Sequence, residues 1–165
     1  MSTTRWLDDS EQGVWRAYLE STQLLMDRLA RELDDDSELP LPEYEILVRL
    51  SETPARALRM SDIAQMLVHS RSRLTHTVSR MEARGLVRRQ ASPDDGRGVL
   101  AVMTDAGYQA LVRAAPVHVE SVRSHLFDQL EPDEVEVLGR ALTKVRQHLR
   151  DTRTAEPSVS RTAAV

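Results

Sequence analysis

The chain contains no cysteine. Disulfides, thiolate metal sites, cysteine nucleophiles and thiol-based redox sensing are therefore excluded. Of 22 basic residues only Lys144 is a lysine, so nearly all positive charge is carried by the planar, bidentate guanidinium group. No apolar run approaches the length that spans a bilayer, and the opening stretch MSTTRWLDDSEQ lacks the apolar centre of a signal peptide. A cytoplasmic protein with no membrane partner is expected. No Ser-His-Asp order, glycine-rich phosphate loop or paired-carboxylate pattern is visible, so no enzyme is expected. His118 and His125 share a helical face, but without a Cys, Asp or Glu partner at ligand spacing neither a metal nor a cofactor is expected.

With 41% hydrophobic residues in 165, the chain is long enough to bury a real core. One domain over residues 1–152 is expected, followed by a polar, small-residue tail at 153–165 with the composition of disorder. The net charge of -4 at first argues against nucleic acid. Its distribution reverses that. Between residues 55 and 103 there are nine arginines against four acids, and the remainder holds 13 basic and 22 acidic residues. A basic middle between acidic ends is the footprint of a local contact with a polyanion.

That middle is also the most structured part of the pattern. Ser61 to Leu67 reads as a short helix, Val68-His69-Ser70 as a turn, and Arg71 to Arg84 as a second helix stopped by Gly85. Two strand-like runs, Leu86 to Gln90 and Val99 to Met103, flank the turn-forming Asp94-Asp95-Gly96-Arg97-Gly98. Helix, turn, helix and β-hairpin is the order of a winged helix-turn-helix, which places one helix in a DNA major groove. On the second helix Leu74, Val78 and Met81 fall in one stripe, with Thr77 at its edge. The opposite side carries Ser72, Arg73, His76, Ser79 and Arg80. Its only acid, Glu82, lies in the last turn. A solvated face mixes Glu with basic residues; this face suits phosphates and base edges.

The rest reads as helix. A long first helix runs from about Asp9 to Leu33, with Trp15, Tyr18, Leu25 and Leu29 on a stripe. Another runs from Glu43 to about Ser51. Thr104-Asp105 caps a fifth helix to about Leu130, with Pro116 as a place to bend. Pro132 starts a sixth, where Val135, Leu138, Leu142, Val145 and Leu149 recur at alternating spacings of three and four, as on a coiled-coil seam. The fold class is mainly α with a small β-hairpin: a winged core at about 53–104 and dimerisation helices at about 9–33 and 104–151. Fifty residues of winged core are too few to cover such helices, and helix-turn-helix readers work as two-fold dimers on half-sites about 34 Å apart. A homodimer built by the first, fifth and sixth helices is expected.

These residues together resemble the multiple antibiotic resistance regulator (MarR) family over roughly residues 10–150. The likeness is carried by Leu41-Pro42-Glu43-Tyr44-Glu45-Ile46-Leu47, by Met60-Ser61-Asp62-Ile63-Ala64, and by Leu74 through Val87. Most specific is Asp94-Asp95-Gly96-Arg97 leading to Met103-Thr104-Asp105-Ala106-Gly107. The chain departs from the family at Val68, His69 and Arg71, where glycine, an apolar residue and proline are common. The resemblance implies a homodimeric regulator of transcription on pseudo-palindromic double-stranded DNA. Many such proteins are repressors released by a small aromatic or phenolic effector.

Position and chemistry then suggest roles. Ser61 caps the third helix and offers its hydroxyl to a phosphate; Ser70 caps the recognition helix. Ser72, Arg73 and His76 face base edges with Thr75 beside them, while Arg71 and Arg80 hold phosphates. Arg97 enters the minor groove or grips its backbone from a wing shaped by Asp95 and Gly96. Trp15, Tyr18 and Tyr44 are candidates to line an effector cavity. The competing reading is a winged-helix module for protein–protein contact or non-specific DNA architecture. It calls for apolar residues where this chain has Ser72, Arg73 and His76.

Overall fold

The computed structural model describes residues 3–68, 70–92 and 98–155. Two compact units are present, residues 1–123 and 124–165. The boundary lies near the end of the helix expected to run to Leu130.

In the first unit, α1 (Asp9–Ser37) opens on a capping box: the Asp8 carboxylate accepts from Glu11 N, and the Glu11 carboxylate accepts from Asp8 N. It runs one turn beyond Leu33 and closes at Glu38, which adopts the left-handed conformation at φ 54°. Helix α2 (Leu41–Ser51) starts at Leu41 because Pro42 sits in its first turn, where a missing N–H costs nothing. Helices α3 (Met60–Met66) and α4 (Arg71–Ala83) follow, then β2 (Val87–Ala91), β3 (Val99–Met103) and α5 (Asp105–His125). The core gathers Leu29 and Leu33 of α1, Ile46, Leu47 and Leu50 of α2, Ile63 of α3, and Leu74, Val78 and Met81 of α4. Val87, Ala101 and Met103 of the sheet and Leu111 and Ala114 of α5 complete it.

The expected hairpin is one part of a three-stranded antiparallel sheet. Its third member, β1 (Ala57–Arg59), pairs with β3 through Ala57–Val102, Leu58–Ala101 and Arg59–Leu100, giving the order β1-β3-β2. Three residues carry too little periodicity to announce a strand. Ser61 does not cap α3. Arg59 holds that position without a side-chain bond, and the Ser61 hydroxyl donates to the Asp62 carboxylate at 3.0 Å. The strand β1 continues directly into α3, so the cap position falls two residues before Ser61.

The turn between α3 and α4 holds Val68 at φ 54°, with its side chain in solvent. A β-branched residue is strained there, which explains the physical preference for glycine at this point. Strain of this kind costs about 1–3 kcal/mol, and glycine returns about 0.5–1 kcal/mol of unfolded-state entropy. Val68→Gly is therefore expected to raise stability by about 1 kcal/mol. Urea denaturation reads this directly, and a midpoint equal to or below the parent's would contradict it.

Thr104 ties the sheet to α5. Its hydroxyl accepts from Gly107 N at 3.0 Å and lies 2.7 Å from Gly85 O, to which it donates. Thr104 N donates to Leu86 O at 3.1 Å. The helix continues through Pro116 and ends at His125, short of the expected Leu130, because Leu126 leaves helical geometry.

In the second unit, a single 3-10 turn (Phe127–Gln129) precedes α6 (Pro132–Ala155). The Glu134 carboxylate accepts from Glu131 N at 2.9 Å, satisfying a donor at the helix start. Val135 and Leu138 are half-buried, while Leu142, Val145 and Leu149 are exposed.

Candidate nucleic-acid interface

Helix α4 forms because Ser70 terminates the preceding turn with extended backbone and its hydroxyl accepts from Arg73 N at 3.3 Å. Four residues, Leu74, Thr77, Val78 and Met81, are buried against the core, as the helical stripe requires. Arg71, Ser72, Arg73, Thr75, His76 and Arg80 are exposed on the other side. The Ser70 and Ser72 hydroxyls lie 3.2 Å apart. Thr75 and Ser79 donate back to the Arg71 and Thr75 carbonyls at 2.8 and 2.9 Å. Their hydroxyl protons are thereby engaged. Ser61, Arg71 and Thr75 meet in a cleft of ≈ 370 Å³, together with Arg59, Met60, Leu74, Gly98 and Val99. Its walls are the start of α3, the first turn of α4 and the base of the wing. The wing is closed at that base by Ser92 N donating to Gly98 O at 2.8 Å. Asp95, Gly96 and Arg97, like His69, lie outside the described residues.

The arginines divide by partner. Arg56, itself at φ 48°, places its guanidinium 3.9 Å over the Tyr108 ring and lies 3.8 Å from Asp105. Arg88 donates to Gln90 at 2.7 Å. Arg89 is locked to Glu82, whose carboxylate accepts the Arg89 backbone N–H at 2.9 Å and its Nε at 2.8 Å. Those bonds, the backbone one foremost, hold the Glu82 carboxyl below the usual carboxylate range. Arg84 lies 2.7 Å from the buried Glu43 carboxylate, and Arg80 lies 3.7 Å from its other oxygen. Arg71 and Arg73 have no such pair among the described residues. The first turn of α4 thus carries two arginines with no acidic partner among the described residues.

The ion pairs of Glu43 were not singled out from sequence, whereas Thr104 was, as the cap of α5, and its hydroxyl accepts from Gly107 N. A signal existed for Glu43. It lies four residues before Leu47 and seven before Leu50, in phase with the buried face of α2. An acid in that phase calls for a cation opposite it.

The aromatic candidates separate. Trp15 and Tyr18 stack on each other along α1 with ring centroids 6.1 Å apart, each about half exposed. Trp15 also joins Trp6, Leu7, Gln12 and Arg16 around an open cleft of ≈ 510 Å³. Tyr44 is buried, and its ring centroid lies 4.6 Å from that of His118 on α5. Burial raises the Tyr44 hydroxyl's pKa and lowers that of His118, whose Nδ1 is buried with no hydrogen-bond partner.

Residues 37–98 match the model of the MarR family. The chain is 30% identical over 136 residues to the HTH-type transcriptional regulator PecS of Dickeya dadantii, covering 82% of this chain and 81% of that protein. Its fold is similar to that of Sco3205, a MarR family transcriptional regulator from Streptomyces coelicolor solved in complex with DNA. The TM-score is 0.83 with 42% identity, covering 97% of each chain. AbsC, a MarR family transcriptional regulator of the same organism, matches with TM-score 0.83 and 44% identity over 90% of this chain and 99% of that one.

Proposed function

This chain belongs to the MarR family of DNA-binding transcriptional regulators, and from that premise we propose that it acts as a homodimeric repressor on a pseudo-palindromic operator. The observation that carries this reading is the first turn of α4. Arg71 and Arg73, with no acidic partner among the described residues, stand with Ser72 and His76 above a buried apolar stripe. In the proposal Ser72, Arg73 and His76 read base edges in the major groove, where all four base pairs are distinguishable. Ser61, Ser70, Arg71 and Thr75 face phosphates around the cleft at the wing base, and Arg80 borders them. Arg97, presented by Asp95 and Gly96, takes the adjacent minor groove. An aromatic or phenolic effector releases the DNA. In the proposal the exposed, stacked Trp15 and Tyr18 meet its ring, while Tyr44 is buried against His118 apart from them.

The test starts from a duplex that the wild-type protein selects out of a randomised pool. Arg73→Ala is expected to weaken binding to that duplex by about 1–3 kcal/mol and to change binding to a scrambled duplex much less. Phosphate attraction is shared by both duplexes, whereas a bidentate base contact exists in only one. If Arg73→Ala weakens the two equally, α4 does not read bases through this residue.

A further inference from the structure

Glu43 is the one charged residue that is fully buried among the described residues, at 2% exposure. A carboxylate in that position is held only by partners, and packing alone would be served as well by an apolar side chain. Its partners both come from the recognition helix. Arg84, which ends α4, lies 2.7 Å from one oxygen, and Arg80, one turn earlier, lies 3.7 Å from the other. The second amino group of Arg84 donates to Glu38 O at 2.8 Å, the carbonyl at the left-handed close of α1. One guanidinium thus joins the end of α1, the first turn of α2 and the end of α4. No other polar contact of this kind ties the three helices together among the described residues.

Apolar packing fixes how deeply a helix sits but resists small tilts weakly. A charge-assisted pair has direction. Base readout needs that direction, since productive contacts tolerate only about 0.5 Å and 10–20° of error. Attraction to phosphates tolerates more. We propose that Glu43 is a positioning residue for DNA reading: the Glu43–Arg84 pair sets the angle at which α4 leaves the α1–α2 corner. The proposal rests on α4 being the helix that reads bases.

Two effects of opposite sign follow from Glu43→Gln. The tether is lost, so base discrimination falls. A negative charge beside Arg80 is also lost, so attraction to any duplex rises or holds. The expected result is about a tenfold fall in the ratio of selected-duplex to scrambled-duplex affinity, with scrambled binding unchanged or tighter. A change that is electrostatic alone moves both affinities together, and a change in stability alone moves neither in the folded protein. An unchanged ratio therefore overturns the proposal.

Arg84→Gln should lower the same ratio, and the double variant should be no worse than the worse single one, because both remove one tether. Additive losses would mean that Glu43 does not act through Arg84, and would overturn the proposal. The Arg84 side chain is 43% exposed, so its variant carries the test if Glu43→Gln fails to fold. Arg73→Ala, measured alongside, separates the two readings. If it collapses the ratio and Glu43→Gln does not, the tether idea fails alone. If Arg73→Ala leaves the ratio intact, the assignment of α4 fails, and this inference with it.

Discussion

Leu142→Asp is expected to convert the proposed dimer into folded monomers. Leu142 sits in the middle of the α6 stripe. It is 43% exposed within one chain, and Val145 and Leu149 are 55% and 60% exposed. In α1, Val14, Trp15, Tyr18 and Leu24 are also exposed. On each helix, taken by itself, apolar side chains stand in water, and exposed apolar patches mark association sites. A second copy covers them in the proposed assembly. A carboxylate placed there is buried without a partner on association, at a cost of about 3–5 kcal/mol, and two-fold symmetry introduces it twice. Each 1.4 kcal/mol is a factor of about ten, so dimer affinity should fall by at least roughly a hundredfold. Inside a single chain the new side chain faces solvent, and helix content should not change. Sedimentation or light scattering at micromolar concentration, with circular dichroism as the folding control, decides the matter. A folded variant that stays wholly dimeric places the interface elsewhere. Its DNA binding offers a second readout, since two half-sites about 34 Å apart need two linked recognition helices.

The second large effect is expected at Gly107. A Cβ built there would meet Leu86 O at 2.1 Å, Leu86 C at 3.0 Å and the Met103 side chain at 3.1 Å. The first two are backbone atoms and cannot rotate away. Leu86 O already accepts from Thr104 N, so moving it disturbs the bonds that join the end of α4, the last strand and the start of α5. Overpacking of this kind, with the loss of at least one of those bonds, should cost about 3 kcal/mol or more for Gly107→Ala. For a chain of this size that corresponds to a fall in Tm of roughly 6–12 °C. A calorimetric scan tests it. An unchanged Tm would mean that α5 can slide away from the sheet without penalty.

Much of the winged core was legible because helical and strand periods are local. The stripe Leu74, Val78 and Met81 predicted the buried face of α4, and all three are buried. The same arithmetic predicted the exposure of Ser72, Arg73, His76 and Arg80, while Ser79 is half-buried. Ser70 was identifiable as a cap because that chemistry lies within three residues. Val68 was recognisable as a departure, and its φ of 54° supplies the reason. The start of α3 differs from the local pattern, since Ser61 satisfies a capping pattern while the strand before it sets the boundary.

By itself, the sequence determined the exclusion of thiol chemistry, the helix-turn-helix order, the polar face of α4 and the apolar stripe of α6. Each follows from residue type or from a spacing of a few positions. Only the tertiary structure decided which arginines keep their charge for a partner. Arg56, Arg84 and Arg89 look the same in sequence as Arg71 and Arg73, yet the first three meet Tyr108, Glu43 and Glu82. It also decided that Ala57–Arg59 is a strand, through pairing with β3, and that Gly107 lies against a carbonyl. Those outcomes depend on pairs of residues separated by long stretches of chain. A periodic pattern states which face a residue occupies; the fold alone states what stands opposite it.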